Sequence, residues 1–370
     1  MKNILFLHSS SELYGSDRSL LNLVKNLDKN EFNITVILPE EGPLVEEIKK
    51  VNNVNVLIKE IAVLRRKNLS IRGIFSYSAD FLKSIKYLKQ AIKDQKIDIV
   101  YTNTSVVFPG GIAARVLGKK SIWHVREIIS NNFERRVVSF IVNKFSDIII
   151  ANSKATAEAI SKNTNKIRVV YNCIENKEHV VDNEKKSSEI IIGMAGRINR
   201  WKGQKLFVDM AEMVAKSNKN VKFLIAGDAY KGEVKLIDDL KEYIKEKKVE
   251  DKVILLGQVN DMDSFYNSLD IFVLPSIKPE PFGLVIIEAM DRKLPVVATK
   301  HGGPLEIIED NISGFLVDFN NAYEMSEIIN KLIKDDKLRE KIGLSAKLRR
   351  DSMFSLNNYV SSISEILEKI

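Results

Sequence analysis

Short apolar runs and longer amphipathic stretches alternate along the whole chain, and this restricts it to one fold class. A strand that is apolar throughout must be covered on both faces, and helices crossing between parallel strands provide that cover. The first such strands read at 3–8, 33–38, 55–58, 98–102, 121–125, 147–151 and 167–171. Helical patterns separate them at 16–27, 71–95 and 106–117. In the first of these helices Leu20, Leu23, Val24 and Leu27 share a face. Over 175–188 the chain is polar and charged with no apolar period, which reads as an interdomain linker. The pattern restarts at 189–195 and continues with strands at 222–226, 253–256, 271–274, 296–298 and 314–317. The expectation is an α/β protein of two doubly wound domains, 1–175 and 176–350. A final stretch, 351–370 with a helix at 356–370, exceeds what the second sheet needs.

Composition narrows the chemistry. Cys173 is the single cysteine, so no intramolecular disulfide is possible and a reducing compartment is expected. The 4 histidines are scattered without metal-ligand spacing. No run reaches the length of a membrane span, and the apolar start is too short for a signal-peptide core. A soluble, cytoplasmic protein is expected. The net charge of +8 calls for an anionic partner. Nucleic acid is set aside because no recognised module or aromatic-basic platform is present. Segment 131–145 joins Arg135, Arg136 and Lys144 to several aliphatic and aromatic residues. Such a helix can lie on an anionic membrane surface, aided by Arg65-Arg66-Lys67 and Lys119-Lys120. The commoner alternative is a core-facing helix with a solvated basic face.

Chemistry concentrates where strands run into helices. The strand at 271–274 leads into Pro275-Ser276, then Glu280-Pro281-Phe282-Gly283-Leu284, then a helix carrying Glu288. A strand–loop–helix turn sets free helix N–H groups at the carboxyl edge of a parallel sheet, where phosphates bind. Glu280 and Glu288 can accept hydrogen bonds from hydroxyls beside it. A nucleotide-sugar carries both kinds of group. The loop 196–203 bears Arg197, Arg200 and Lys202 between a strand and a helix, which suits a diphosphate clamp without a metal. The same residues would also make an ordinary solvated loop. Gly15 precedes the helix at 16–27, where it suits either a phosphate contact or a simple turn. His124 ends an apolar strand at the edge where sites form. His301-Gly302-Gly303-Pro304 opens another helix and permits close backbone approach or a tight turn. Dinucleotide, P-loop and nucleophile-elbow patterns are absent.

Together these residues resemble the retaining glycosyltransferases of the GT-B fold, family 4, over nearly the whole chain. Glu280-Pro-Phe-Gly-Leu-Val-Ile-Ile-Glu288 looks like that family's Glu-x7-Glu motif. Gly196-Arg197 through Lys202-Gly203, Gly227-Asp228, Pro275-Ser276 and Gly302-Gly303 follow in the family's order. The resemblance implies two Rossmann-like domains facing a central cleft, with the last helix returning to the first domain. It implies that Arg197 and Lys202 hold the donor diphosphate, Glu288 the ribose and Glu280 the sugar hydroxyls. Gly196, Gly227, Pro281, Phe282, Gly283 and Leu284 would complete the donor site. His124 matches the family's active-site histidine, and Asn172, in Val170-Tyr171-Asn172, its Asn motif. Gly15 and Ser16 would approach from the N-terminal domain; Gly15-Ser16-Asp17-Arg18 stands where the family often has Gly-Gly-small-Glu. The implied activity is retaining transfer from a nucleotide-diphosphate-sugar; a soluble chain with a basic first domain further suggests a glycan or lipid-linked acceptor, in surface polysaccharide or glycolipid synthesis. No cofactor and no divalent metal are expected, and contact with the inner membrane face is. The alternatives are a GT-B nucleotide-sugar epimerase and a non-catalytic GT-B subunit binding a partner enzyme.

Overall fold

The computed structural model describes residues 1–65, 68, 71–161, 165–175, 189–230 and 232–370. Of the expected linker, 175–188, all but Glu175 lies outside the described residues, as do Arg66 and Lys67. The chain divides into two compact units: Met1–Glu175 with Leu356–Ile370, and Asn176–Ser355.

The first unit is built on seven strands: β1 (Lys2–Leu7), β2 (Phe32–Leu38), β3 (Val54–Ile58), β4 (Ile99–Thr102), β5 (Lys120–Val125), β6 (Ile148–Ala151) and β7 (Ile167–Val169). All pair in parallel, in the order β3-β2-β1-β4-β5-β6-β7. The central strands are buried on both faces, which is why they read as unbroken apolar runs. The strand order reverses between β1 and β4, so a crevice opens at their carboxyl ends. The helix expected from 106 begins at Pro109, because proline's fixed φ and missing N–H suit the first helical position.

Helix Leu356–Lys369 belongs to this first unit. Its Tyr359, Ile363 and Leu367, each four residues apart, join the core formed by Leu20, Leu23, Val24 and Val170. Lys2 completes its end, donating from Nζ to the carbonyls of Leu367 (2.9 Å) and Glu368 (2.7 Å). A cation there satisfies carbonyls that the helix cannot bond itself.

The second unit has six parallel strands: β8 (Ile190–Ala195), β9 (Val221–Ala226), β10 (Val253–Gly257), β11 (Ile271–Leu274), β12 (Val296–Thr299) and β13 (Phe315–Val317). Their order, β10-β9-β8-β11-β12-β13, reverses between β8 and β11. Helices Gln204–Ser217 and Ala322–Lys334 close one core over Phe207, Phe223, Val273 and Ile329. The loops after β8 and β11, which carry the charged motifs, therefore leave the sheet side by side.

Candidate active-site residues of the two units

In the second unit, backbone geometry brings those two loops into contact. After β8, Asn199 Oδ1 accepts from the backbone N–H groups of Trp201 (3.0 Å) and Lys202 (2.9 Å), an Asx turn that pins Lys202. Gly203 follows with φ of 81°, and a Cβ there would lie 1.8 Å from the carbonyl oxygen of Pro275. Only glycine fits this left-handed position against the loop after β11. Lys202 Nζ then meets Glu280 Oε2 at 2.7 Å, and Ser276 Oγ donates to the same oxygen at 3.0 Å.

Glu280 is also fixed through its backbone. Its N–H donates to the His301 carbonyl (3.1 Å), and its own carbonyl accepts from the Gly303 N–H (2.7 Å). Gly302, with φ of 82°, permits this approach, since a Cβ there would stand 2.3 Å from the Glu280 oxygen. The result is a buried carboxylate and an ammonium held at the switch point beside the start of helix Gln204–Ser217.

The other expected residues fall around this pair in different ways. Gly196 and Gly227 end β8 and β9, and Gly196 N–H bonds to the Ala226 carbonyl at 2.9 Å. Arg197 is exposed, its guanidinium 5.3 Å from the centre of the Tyr230 ring. Pro281 and Leu284 are half-buried, and Gly283 caps helix Leu284–Asp291. Phe282 is buried and packs against Phe354, at 5.8 Å between ring centres, so it anchors the loop. Glu288 accepts from Tyr266 Oη at 2.7 Å. Among the described residues, no three His, Cys, Asp or Glu side chains are grouped to hold a metal ion.

In the first unit the carboxyl edge holds a buried polar network. Gly15 and Ser16 open helix Gly15–Asn26, and the Ser16 carbonyl accepts from Asn103 Nδ2 at 3.4 Å. Asp17 accepts from Tyr14 N–H (2.8 Å) and pairs with His8 Nε2 (2.6 Å). Arg126 lies at the centre, with Nε donating to Asn103 Oδ1 (2.9 Å) and Nη1 to Asn172 Oδ1 (2.6 Å). Its Nη2 reaches both Tyr359 Oη (3.0 Å) and His124 Nδ1 (3.2 Å). Tyr101 Oη lies 2.6 Å from the same His124 nitrogen. His124 is fully buried, and burial first, then the Arg126 charge, push its pKa well below the ordinary histidine value. Its Nε2 has no hydrogen-bond partner among the described residues.

Ser16, His124 and Asn172 are thus joined through Asn103 and Arg126, two residues that sequence reasoning passed over, while Gly15 only opens the helix that carries Ser16. His8, Tyr101 and Tyr359 were missed as well, and in the second unit Tyr266; Asp17 and Ser276 were read only as parts of their motifs, without a role of their own. One signal was present: His8 follows β1 as His124 lies near the end of β5, so the edge rule reaches both.

Comparison with known proteins agrees with this architecture. The family model described as glycosyl transferases group 1 matches residues 175–349, and glycosyltransferase family 4 matches residues 14–178. The capsular polysaccharide biosynthesis glycosyltransferase CapM of Staphylococcus aureus is 32% identical over 190 residues, covering 51% of this chain and 48% of that protein. The UDP-Gal:alpha-D-GlcNAc-diphosphoundecaprenol alpha-1,3-galactosyltransferase of Escherichia coli is 25% identical over 387 residues, covering 96% of this chain and 92% of that protein. The crystal structure of HepE from Anabaena in complex with UDP-glucose shares the fold, with a TM-score of 0.84 at 24% identity over 100% of both chains. With two family models that together run from residue 14 to residue 349, this chain belongs to the family 4-like GT-B glycosyltransferases.

Proposed function

We propose that this glycosyltransferase moves a sugar, with retention at the anomeric carbon and without a divalent metal, from a UDP-sugar to a lipid-linked glycan. The observation that carries the donor site is the Lys202–Glu280 pair at 2.7 Å, seated where the second sheet reverses its strand order. An ammonium has three donors, so Lys202 can keep Glu280 and still bind a phosphate oxygen. Arg197 and the free N–H groups at the start of helix Gln204–Ser217 add positive potential. Together they stabilise the charge that develops on the departing diphosphate. Glu280 Oε2 is already engaged by Lys202 and Ser276, which favours binding sugar hydroxyls over attack on the anomeric carbon. A front-face substitution then accounts for retention. Glu288, aligned by Tyr266, takes the ribose hydroxyls, and His124 meets the substrate from the first unit.

UDP is favoured as the donor base by the ligand in HepE and by the donor named for the Escherichia coli relative. That relative's diphosphoundecaprenol acceptor favours a lipid-linked one here, and capsular synthesis by CapM favours a surface polysaccharide. No helix among the described residues is long and apolar enough to cross a membrane. The protein then meets its acceptor by docking on the cytoplasmic face of the membrane.

Thermal unfolding with UDP, GDP, ADP and their glucose esters, all in EDTA, tests the donor reading. UDP and UDP-glucose raise the midpoint by binding the folded state, and Lys202→Ala reduces the shift. A panel with no shift for any nucleotide would favour a non-catalytic subunit; a shift appearing only after magnesium is added would refute metal independence.

A further inference from the structure

The first unit contains a buried cation without a carboxylate. Arg126 is 6% exposed, and no Asp or Glu side chain pairs with its guanidinium among the described residues. Its bonds go instead to Asn103, Asn172, Tyr359 and His124. Burying an unpaired charge is costly, so the arrangement calls for a reason beyond packing. The Nδ1 atom of His124 supplies one.

Tyr101 Oη and Arg126 Nη2 both lie on that nitrogen, at 2.6 Å and 3.2 Å. They are not equivalent. A tyrosine hydroxyl both donates and accepts, so Tyr101 alone would suit either tautomer of the imidazole. A guanidinium only donates. With Arg126 in place, Nδ1 must be an acceptor, Tyr101 must donate to it, and the ring proton must reside on Nε2. We propose that Arg126 is a positioning residue that holds His124 as the neutral Nε2–H tautomer, leaving Nε2–H as a donor for substrate. Nε2 is the atom of the ring that has no partner among the described residues. A buried donor left unbonded is destabilising, and a substrate oxygen would relieve it. The guanidinium is itself aimed by groups from three other segments: Asn103 after β4, Asn172 after β7, and Tyr359 on helix Leu356–Lys369. The last helix thereby completes both the core and the polar network of the first unit.

The inference rests on His124 meeting substrate as proposed above, but its test does not need turnover. In the full-length protein with 15N-labelled histidine, two-bond 1H–15N correlation distinguishes the tautomers, and His124→Asn assigns the signal. The wild type is expected to show Nδ1 unprotonated and Nε2 protonated. Tyr101→Phe keeps that pattern, because the donor-only group remains. Arg126→Met loses it and gives a mixture, while Arg126→Lys, also donor-only, restores it. If Arg126→Met does not fold, Arg126→Gln, whose amide both donates and accepts, is read in its place. UDP release from UDP-glucose is expected to fall about 10-fold or more in the variant with the mixed tautomer, as for a misplaced catalytic group. A mixed tautomer with unchanged UDP release would support the hold by Arg126 and remove His124 from the proposed reaction. Protonated Nδ1 in the wild type, or an unaltered pattern in both the Met and the Gln variants, would overturn the inference.

Discussion

His124 couples a catalytic proposal to folding stability, because the environment that keeps it neutral acts at every pH. Its folded pKa lies well below 6.5, through burial and then Arg126, whereas the unfolded chain titrates near the ordinary value. As pH falls below about 6.5, the unfolded state takes up a proton that the folded state refuses. Stability therefore declines with falling pH, by up to about 1.4 kcal/mol per unit, until the depressed folded pKa is reached. Urea unfolding at pH about 7 and about 5.5 reads this slope. Each unit carries one of the 2 tryptophans, Trp123 or Trp201, so a Trp201→Phe background lets Trp123 report the first unit alone. The His124→Asn variant is expected to lose less stability over that interval than the parent; equal losses would mean that the folded protein protonates His124. The histidine was legible in the sequence because an apolar strand delivers it to the sheet edge. Arg126, two residues on, was not. Apart from His124 itself, its partners stand 23, 46 and 233 positions away, and no local pattern records such distances.

Helix Leu284–Asp291 shows a comparable division between local signal and distant partner. Its start was readable: glycine at 283 after two prolines, then an apolar run. Its end was not, since Asp291 in a helix reads as a solvent-facing residue. In the structure Asp291 is 3% exposed, with Arg292 Nη1 at 2.8 Å, Lys347 Nζ at 3.2 Å and Arg350 Nε at 3.3 Å. Arg350, on helix Asp336–Met353, is fully buried. This ionic cluster locks the two helices together, and the first of them carries Glu288. Without Asp291, Arg292 keeps Asp263, and Lys347 and Arg350 keep the more exposed Asp351, so Asp291→Ala removes the buried carboxylate of the cluster and should destabilise the second unit by about 1–3 kcal/mol. Adding Arg350→Met removes the buried cation that faced Asp291 and should recover part of that loss. Trp201 fluorescence in a Trp123→Phe background follows the unit, and a loss under about 1 kcal/mol would show that the cluster is not coupled to folding.

Two parallel sheets of alternating strands and helices were legible because the central strands are covered on both faces, which leaves short apolar runs. Net charge was less informative: a value of +8 does not say which surface bears it or what it meets. Helix Asn132–Phe145 resolves part of that ambiguity. Val138 and Val142 face the core, as an ordinary amphipathic helix would have them, yet Phe133 and Phe140 remain 74% and 63% exposed. Arg135, Phe140 and Lys144 also line an open groove of about 690 Å3 beside Glu158–Ser161. Aromatic rings beside cations suit an interface where rings enter the acyl boundary and cations meet anionic headgroups. We therefore expect the protein to float with phosphatidylglycerol-containing vesicles at low salt. Phe133→Ser with Phe140→Ser should weaken binding at every salt concentration, because the lost term is apolar. Arg135→Gln, Arg136→Gln and Lys144→Gln together should weaken it mainly at low salt, by about 1 kcal/mol per charge, and flatten the salt dependence. The two variants separate insertion from attraction. If neither differs from the parent, another surface makes the contact; if the parent stays unbound at low salt, a lipid-linked acceptor must be met without this helix.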